Sequence, residues 1–205
     1  MELNCTAYYK RTYVNETRSD IEIWTSFKQG DRTAFDELFR RYYPTLTLYG
    51  SRICDDREIL EDSIHDLFIE LWQSKSNPEI QSVKAYFLKA LKYKLYKHFR
   101  KNVPSSDARE LEEGIGFVIS HDHFMAEQES QAAINRSITE AVNRLPNRQK
   151  EIIYLKIYHG LKYEEISEVM NINYQVARNL FSQSIKNLRE LMGKLGILVL
   201  AMLHF

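Results

Sequence analysis

Apolar residues in the N-terminal half recur at intervals of three and four positions, the period of helices that bury one face. Start and stop signals divide this half into four such helices. Their predicted starts are Ser19–Asp20, Asp31, Asp55 or Asp56, and about Ser82, and Gly30 ends the first. The predicted core-facing residues are Ile23, Trp24, Phe27, Ala34, Phe35, Leu38, Phe39, Tyr42, Leu60, Ser63, Ile64, Leu67, Phe68, Leu71, Leu88, Leu91, Leu95 and Phe99.

The same period returns near the C-terminus, where it breaks between two short helices. Two further helices are predicted before this pair: one begins near Ile134, and the other ends at Gly160. Asn171 can adopt a left-handed backbone at low cost, and Asn173 can cap the next helix, so a sharp turn is predicted there. That turn length is typical of a helix-turn-helix. The predicted buried residues are Ile166, Val169, Met170, Ala177, Leu180, Phe181, Ser184, Leu188 and Leu191.

The outer face of the last helix has the side chains of a DNA-reading surface. Arg, Asn and Gln match base edges in the major groove, and Lys suits a phosphate. An ordinary helical hairpin in a bundle is the alternative, because helix-turn-helix patterns are loose. The residues predicted to face outward are Tyr174, Gln175, Arg178, Asn179, Ser182, Gln183 and Lys186.

The composition favours an all-α protein with two small domains. Only four Pro and seven Gly occur in 205 residues, and no β alternation is present. A long stretch rich in acids, Ser, Pro and Gly reads as a linker. The N-terminus lacks the apolar core of a secretory signal, and Cys5 and Cys54 form no CxxC, so a reducing, cytoplasmic location is expected. The predicted division is an N-terminal extension 1–19, a four-helix domain 20–102, an acidic linker 103–130, a helix-turn-helix domain 131–195 and an apolar tail 196–205.

The formal net charge is zero, but the charges are segregated along the chain. Residues 55–70 contain seven acids and one Arg, residues 84–101 contain seven bases and no acid, and residues 102–130 again contain seven acids and one Arg. Each block is therefore expected to have a different neighbour.

Four phrases, in order, resemble the compact extracytoplasmic-function (ECF) sigma factors. "GDRTAFDELFRRYYPTL", "EDSIHDLFIELW" and "AYFLKALKYKLYKHFRK" are similar to that family's N-terminal domain, sigma region 2. "RLPNRQKEIIYLKIYHGLKYEEISEVMNINYQVARNLFSQSIKNLREL" is similar to its promoter-binding domain, sigma region 4. The match covers roughly Ile21 to Met192. It implies a dissociable bacterial RNA polymerase subunit without enzymatic activity, cofactor or small-molecule substrate.

The resemblance also implies partners and the surfaces that bind them. The partners are core RNA polymerase, through its clamp coiled coil and flap, promoter DNA, and an anti-sigma factor that is membrane-bound in many members. The acidic third helix corresponds to the clamp-binding surface, and a merely solvated face is the alternative. The family commonly has Gln where this chain has His65. The implied polymerase-binding residues are Asp62, His65, Asp66, Ile69, Glu70 and Gln73.

The basic fourth helix interleaves lysines with aromatic residues, a combination that can neutralise phosphates and stack on unpaired bases. By resemblance, this helix meets the −10 element and the last helix meets the −35 element. The family often has Asn where this chain has Tyr93. The −10 candidates are Lys89, Lys92, Tyr93, Lys97 and Arg100, and the −35 candidates are Tyr174, Gln175, Arg178, Asn179, Ser182 and Lys186.

Several other interpretations stay open at this point. His121 and His123 suggest a metal site, but no further His or Cys falls at ligand spacing. A regulator of the response-regulator output type has a similar helix-turn-helix, and a protein-binding helical adaptor is a third class. The apolar run from Ile197 to Leu203 is too short to span a bilayer. It is expected either to pack on its own domain or to dock elsewhere.

Overall fold

The computed structural model describes residues 18–74, 79–100, 116–119 and 129–192. In the helix that begins at residue 129, side chains are described from residue 136 onward. All regular secondary structure in these ranges is helical, which confirms the all-α prediction. The sixth helix continues as a π-helical turn, Tyr154–Tyr158, which the sequence analysis did not predict. The helices are α1 Asp20–Lys28, α2 Arg32–Gly50, α3 Arg57–Gln73, α4 Val83–Arg100, α5 Glu129–Asn143, α6 Asn147–Ile153, α7 Tyr163–Met170 and α8 Tyr174–Met192.

The first three helices begin at the predicted capping residues. Ser19 and Glu22 form a reciprocal capping box, in which the Ser19 hydroxyl accepts from the Glu22 backbone and the Glu22 carboxylate accepts from the Ser19 backbone. The carboxylates of Asp31 and Asp56 accept backbone N–H bonds from the first turns of α2 and α3 at 2.8 and 2.9 Å. Gly30, with φ of 92°, separates α1 from α2.

Helices α1–α4 form the N-terminal domain around a cluster of aromatic rings. Phe87 of α4 lies at its centre, with ring centroids 4.8 Å from Tyr42, 5.2 Å from Phe68 and 6.2 Å from Trp24. All six residues predicted for the inner face of α3 are buried. The predicted residues Phe35, Phe39 and Phe99 are only partly buried.

Helices α5–α8 form the C-terminal domain, and α7 and α8 form the predicted helix-turn-helix. Asn171 ends α7 with φ of 51° and ψ of 50°, the left-handed conformation expected for it. The Asn173 side chain accepts a hydrogen bond from the Val176 backbone at 2.8 Å and so caps α8. The prediction for Leu191 was wrong: it is 43% exposed, because the buried stripe continues from Leu188 through Met192.

The described segment 116–119 of the predicted linker packs against both domains. Phe117 and Ile119 are buried. In the N-terminal domain, the Val118 backbone N–H donates to the carbonyl of Arg52, just after α2, at 2.9 Å. In the C-terminal domain, the Asn143 side chain donates to the Ile119 carbonyl at 2.8 Å and accepts from its N–H at 3.0 Å. This segment therefore joins the two domains, a contact that no periodic pattern in the sequence could predict.

Several predicted features lie outside the described residues: Cys5 and most of the N-terminal extension, the pair His121 and His123, and the apolar tail. In the part of the chain that is described, Cys54 is buried with a free thiol. No group of His, Cys, Asp and Glu there could hold a metal ion. None of the helices described is both long and apolar enough to cross a bilayer.

Candidate functional sites

The outer side of α3 presents a continuous row of exposed residues, which we call the α3 acidic face. Their intervals of three and four positions place them on one side of the helix, opposite the buried stripe. All six predicted polymerase-binding side chains are therefore accessible together. The α3 acidic face consists of Asp62, His65, Asp66, Ile69, Glu70 and Gln73.

Aromatic side chains support and extend this face. The His65 ring lies parallel to Phe39, with centroids 6.4 Å apart. Trp72 is exposed at the end of α3, and its ring centroid lies 5.0 Å from Phe35. Trp72 follows Ile69 by three positions, so it shares the face and adds apolar surface to it. Trp72 was not among the predicted polymerase-binding residues, although its spacing from Ile69 was a signal that could have found it.

On α4, the structure places four of the five −10 candidates at the surface. Lys89, Lys97 and Arg100 are exposed, and Tyr93 is 69% exposed, which leaves its ring accessible for stacking. These four residues lie on the side of α4 opposite the buried residues Leu88, Leu91 and Leu95. The basic and aromatic surface predicted from the sequence is therefore present on α4. It consists of Lys89, Tyr93, Lys97 and Arg100.

Lys92 does not belong to this exposed surface, and its predicted placement was wrong. Lys92 is only 6% exposed, and its Nζ donates to Glu151 Oε2 of α6 at 3.0 Å. Its ammonium also lies 5.3 Å from the centroid of the Tyr96 ring. The helical period of α4 alone places position 92 at the border of the exposed side. In the folded chain the C-terminal domain covers Lys92, and the sequence of α4 cannot show this.

All six −35 candidates are exposed along α8. The Arg178 guanidinium lies 5.8 Å from the centroid of the Tyr174 ring, and Gln175 Nε2 donates to Asn179 Oδ1 at 2.9 Å. These contacts along the helix hold the polar groups in position without burying them. Arg178 retains outward donors, and the Asn179 amide can still donate. The −35 candidates are Tyr174, Gln175, Arg178, Asn179, Ser182 and Lys186.

A buried polar group connects the two domains, which we call the Glu151 cluster: Tyr49, Lys92 and Glu151. The Tyr49 hydroxyl donates to Glu151 Oε1 at 2.7 Å, while Lys92 donates to the other carboxylate oxygen. Burial and the neighbouring charge of Glu151 raise the pKa of Tyr49 well above its usual value, so this phenol remains a donor. The sequence offers no local signal for this cluster.

Family models match both domains of the chain. The model for sigma-70 region 2 matches residues 38–103, and the model for sigma-70, region 4 matches residues 135–188. The chain is 23% identical to the RNA polymerase sigma factor CarQ of Myxococcus xanthus, over 83% of this chain and 96% of CarQ. It is also 23% identical to the ECF RNA polymerase sigma factor SigK of Mycobacterium sp. (strain JLS), over 80% of this chain and 85% of SigK. The chain is an ECF sigma factor.

Two solved structures share the fold of this ECF sigma factor. One is the sigma factor RpoE in complex with the anti-sigma factor NepR from Bartonella quintana, with a TM-score of 0.54 at 21% identity, covering 77% of this chain and 96% of that one. The other is CnrH in complex with the cytosolic domain of CnrY, with a TM-score of 0.56 at 13% identity, covering 84% of this chain and 96% of that one.

The matches decide between the interpretations that the sequence left open. A response-regulator output domain would account for the helix-turn-helix but not for region 2 in α2–α4. As an ECF sigma factor, the chain binds core RNA polymerase and promoter DNA and initiates transcription without catalysing a reaction of its own.

Proposed function

We propose that this ECF sigma factor uses three surfaces in transcription initiation. The α3 acidic face binds core polymerase, the exposed basic and aromatic residues of α4 hold the melted −10 element, and α8 reads the −35 element. The observation that carries the proposal is the fully exposed polar row on α8, placed one tight turn after α7. A recognition helix in a helix-turn-helix has this placement.

On the α3 acidic face, charge and apolar surface have separate tasks. Asp62, Asp66 and Glu70 speed encounter with a basic partner and fix its orientation. Ile69 and Trp72, both exposed, provide the apolar contacts that an interface of opposite charges alone would lack. His65 replaces the Gln that is common in the family. Its ring can still form a hydrogen bond to the partner.

On α4, cations and an aromatic ring are arranged for single-stranded DNA. Lys89, Lys97 and Arg100 can each neutralise a phosphate, and the exposed Tyr93 ring can stack on an unpaired base. On α8, Arg178, Gln175 and Asn179 carry the paired donors and acceptors that read base edges in the major groove. Promoter recognition is thereby divided between strand capture by α4 and sequence reading by α8.

The proposal also assigns a cellular setting and a regulator. Core polymerase is a cytoplasmic enzyme, so we place the chain in the cytoplasm. The structural relatives RpoE and CnrH were solved with the anti-sigma factor NepR and with the cytosolic domain of CnrY, respectively. We therefore assign this chain an anti-sigma factor as its inhibitory partner, anchored in the membrane as in many family members.

Co-purification with core RNA polymerase tests the proposed function. The chain, expressed with an affinity tag, is expected to retain core subunits in equal proportion through gel filtration, because the α3 acidic face is exposed. A chain that binds promoter DNA but elutes apart from core would instead be a helix-turn-helix regulator. A chain that binds neither would be a protein-binding adaptor.

A further inference from the structure

One lysine of the basic helix α4 is directed to the α3 acidic face and away from the exposed cations of its own helix. Lys94 Nζ lies 2.6 Å from Glu70 Oε1, so the two residues form an ion pair between neighbouring helices of the N-terminal domain. The Lys94 side chain is only 16% exposed, whereas Lys97, three positions later, is exposed. Helix α4 therefore carries cations on two different sides.

Glu70 is held at one carboxylate oxygen and open to a partner at the other. Its side chain is 70% exposed, although Lys94 contacts Oε1. A carboxylate can accept hydrogen bonds at both oxygens, so Oε2 can serve a second donor. Burial, and to a smaller extent the charge of Glu70, raise the pKa of Tyr86 on α4, which also places the Glu70 carboxylate near α4.

Lys94 affects a basic partner of the α3 acidic face in two opposite ways. Its positive charge reduces the attraction that draws a basic surface to α3, which lowers the rate of association. Its bond to Glu70 orders a long, exposed side chain before the partner arrives, and this saves part of the entropy cost of binding. The saving stabilises the formed complex, so it should appear in the rate of dissociation. Salt screens the first effect, so we expect the second to dominate.

We propose that Lys94 is a positioning residue for polymerase binding: it holds Glu70 so that the second carboxylate oxygen accepts a hydrogen bond from a basic side chain of core polymerase. This assignment rests on the proposed role of the α3 acidic face. It divides the basic residues of α4 by task. Lys89, Lys97 and Arg100 serve DNA, while Lys94 serves the polymerase site on the neighbouring helix.

Replacement of Lys94 by Met in the full-length chain tests the assignment through the kinetics of core binding. We expect core affinity to fall by about three- to ten-fold, with faster dissociation and with association unchanged or slightly faster. Lys94→Arg keeps a cationic donor for Glu70 and should bind core as the wild type does. Tighter binding by Lys94→Met would show that Lys94 only repels the partner. That result, or unchanged affinity, overturns the proposal.

A double-mutant cycle separates an effect through Glu70 from general damage to α4. In a Glu70→Gln background, Lys94→Met should cause little further loss of core affinity, because the residue that it positions is already changed. An equal loss in both backgrounds would assign Lys94 a purely structural role and would overturn the proposal. Circular dichroism monitors helical content. If Lys94→Met loses helicity, Lys94→Gln, which is polar and of similar length, replaces it in the same cycle.

Promoter binding by the holoenzyme, at saturating chain, distinguishes Lys94 from a phosphate contact. Lys97→Met is the matched variant on the exposed side of α4 and should reduce the slope of log affinity against log salt concentration by about one unit. Lys94→Met should keep the wild-type slope, and a reduced slope would assign it to DNA and overturn the proposal. Failure of the proposed function is distinct, because Asp62→Lys with Asp66→Lys would then also bind core as the wild type does.

Discussion

Charge reversal of Asp62 and Asp66 to Lys is expected to weaken core-polymerase binding by at least about 100-fold, since like charges placed together in an interface cost several kcal/mol. Both residues are exposed on α3, and neither caps the helix nor belongs to its buried stripe. Helical content should therefore remain at the wild-type level. A competition assay for core against a labelled wild-type chain measures the loss directly.

The matched control carries the same change in net charge at other exposed positions. Asp36→Lys with Glu140→Lys alters α2 and α5 and leaves the α3 acidic face intact. Neither substituted residue belongs to the α3 acidic face, so this control should lose less affinity than the α3 variant. Equal core affinity for the wild type and a folded Asp62→Lys, Asp66→Lys chain would reject the α3 acidic face as the polymerase site.

Replacement of Arg178 by Ala is expected to cost about 1–3 kcal/mol of binding at the cognate −35 element and to relax the preference at one base pair. Arg178 lies one turn into α8, where its guanidinium is exposed and held near the Tyr174 ring. A bidentate contact with guanine fits this donor set best. Binding to a panel of single-base variants of the promoter, with the holoenzyme, measures both effects.

Lys186 is the comparison that separates base reading from phosphate binding. It is exposed nearly two turns beyond Asn179, where we expect the recognition helix to leave the bases. Lys186→Ala should weaken binding to all sequences alike and reduce the salt slope by about one unit. If Arg178→Ala also lowered affinity uniformly, with no change in base preference, α8 would bind the backbone and would not read sequence.

Local features of the fold were predictable because neighbouring residues determine them. The six buried residues of α3 follow from helical period alone, and Asn171 adopts its left-handed conformation because Asn tolerates it in a tight turn. The exposed rows of α3 and α8 then follow as the opposite sides of buried stripes. The prediction for Leu191 was wrong because the buried stripe continues from Leu188 to Met192, four residues on. Leu191, three residues after Leu188, lies outside the stripe.

Contacts between the domains were not predictable by the same reasoning. Lys92 and Glu151 are separated by 59 positions, and Tyr49 and Glu151 by 102. Periodicity within α4 could not show that another domain covers Lys92. Phe117 was likewise hidden in a stretch without a period, because its burial depends on Tyr49 and Tyr154 from the two domains.

Run-off transcription in vitro tests the central claim most directly, namely that this chain directs core polymerase to promoters through α3 and α8. Core enzyme alone, core with the wild-type chain, core with Asp62→Lys, Asp66→Lys, and core with Arg178→Ala are compared on genomic promoter templates. We expect discrete transcripts only when the wild-type chain is present, with loss for the α3 variant and altered template choice for Arg178→Ala. Wild-type chain that yields no transcript above core alone, or both variants acting as wild type, would contradict the account.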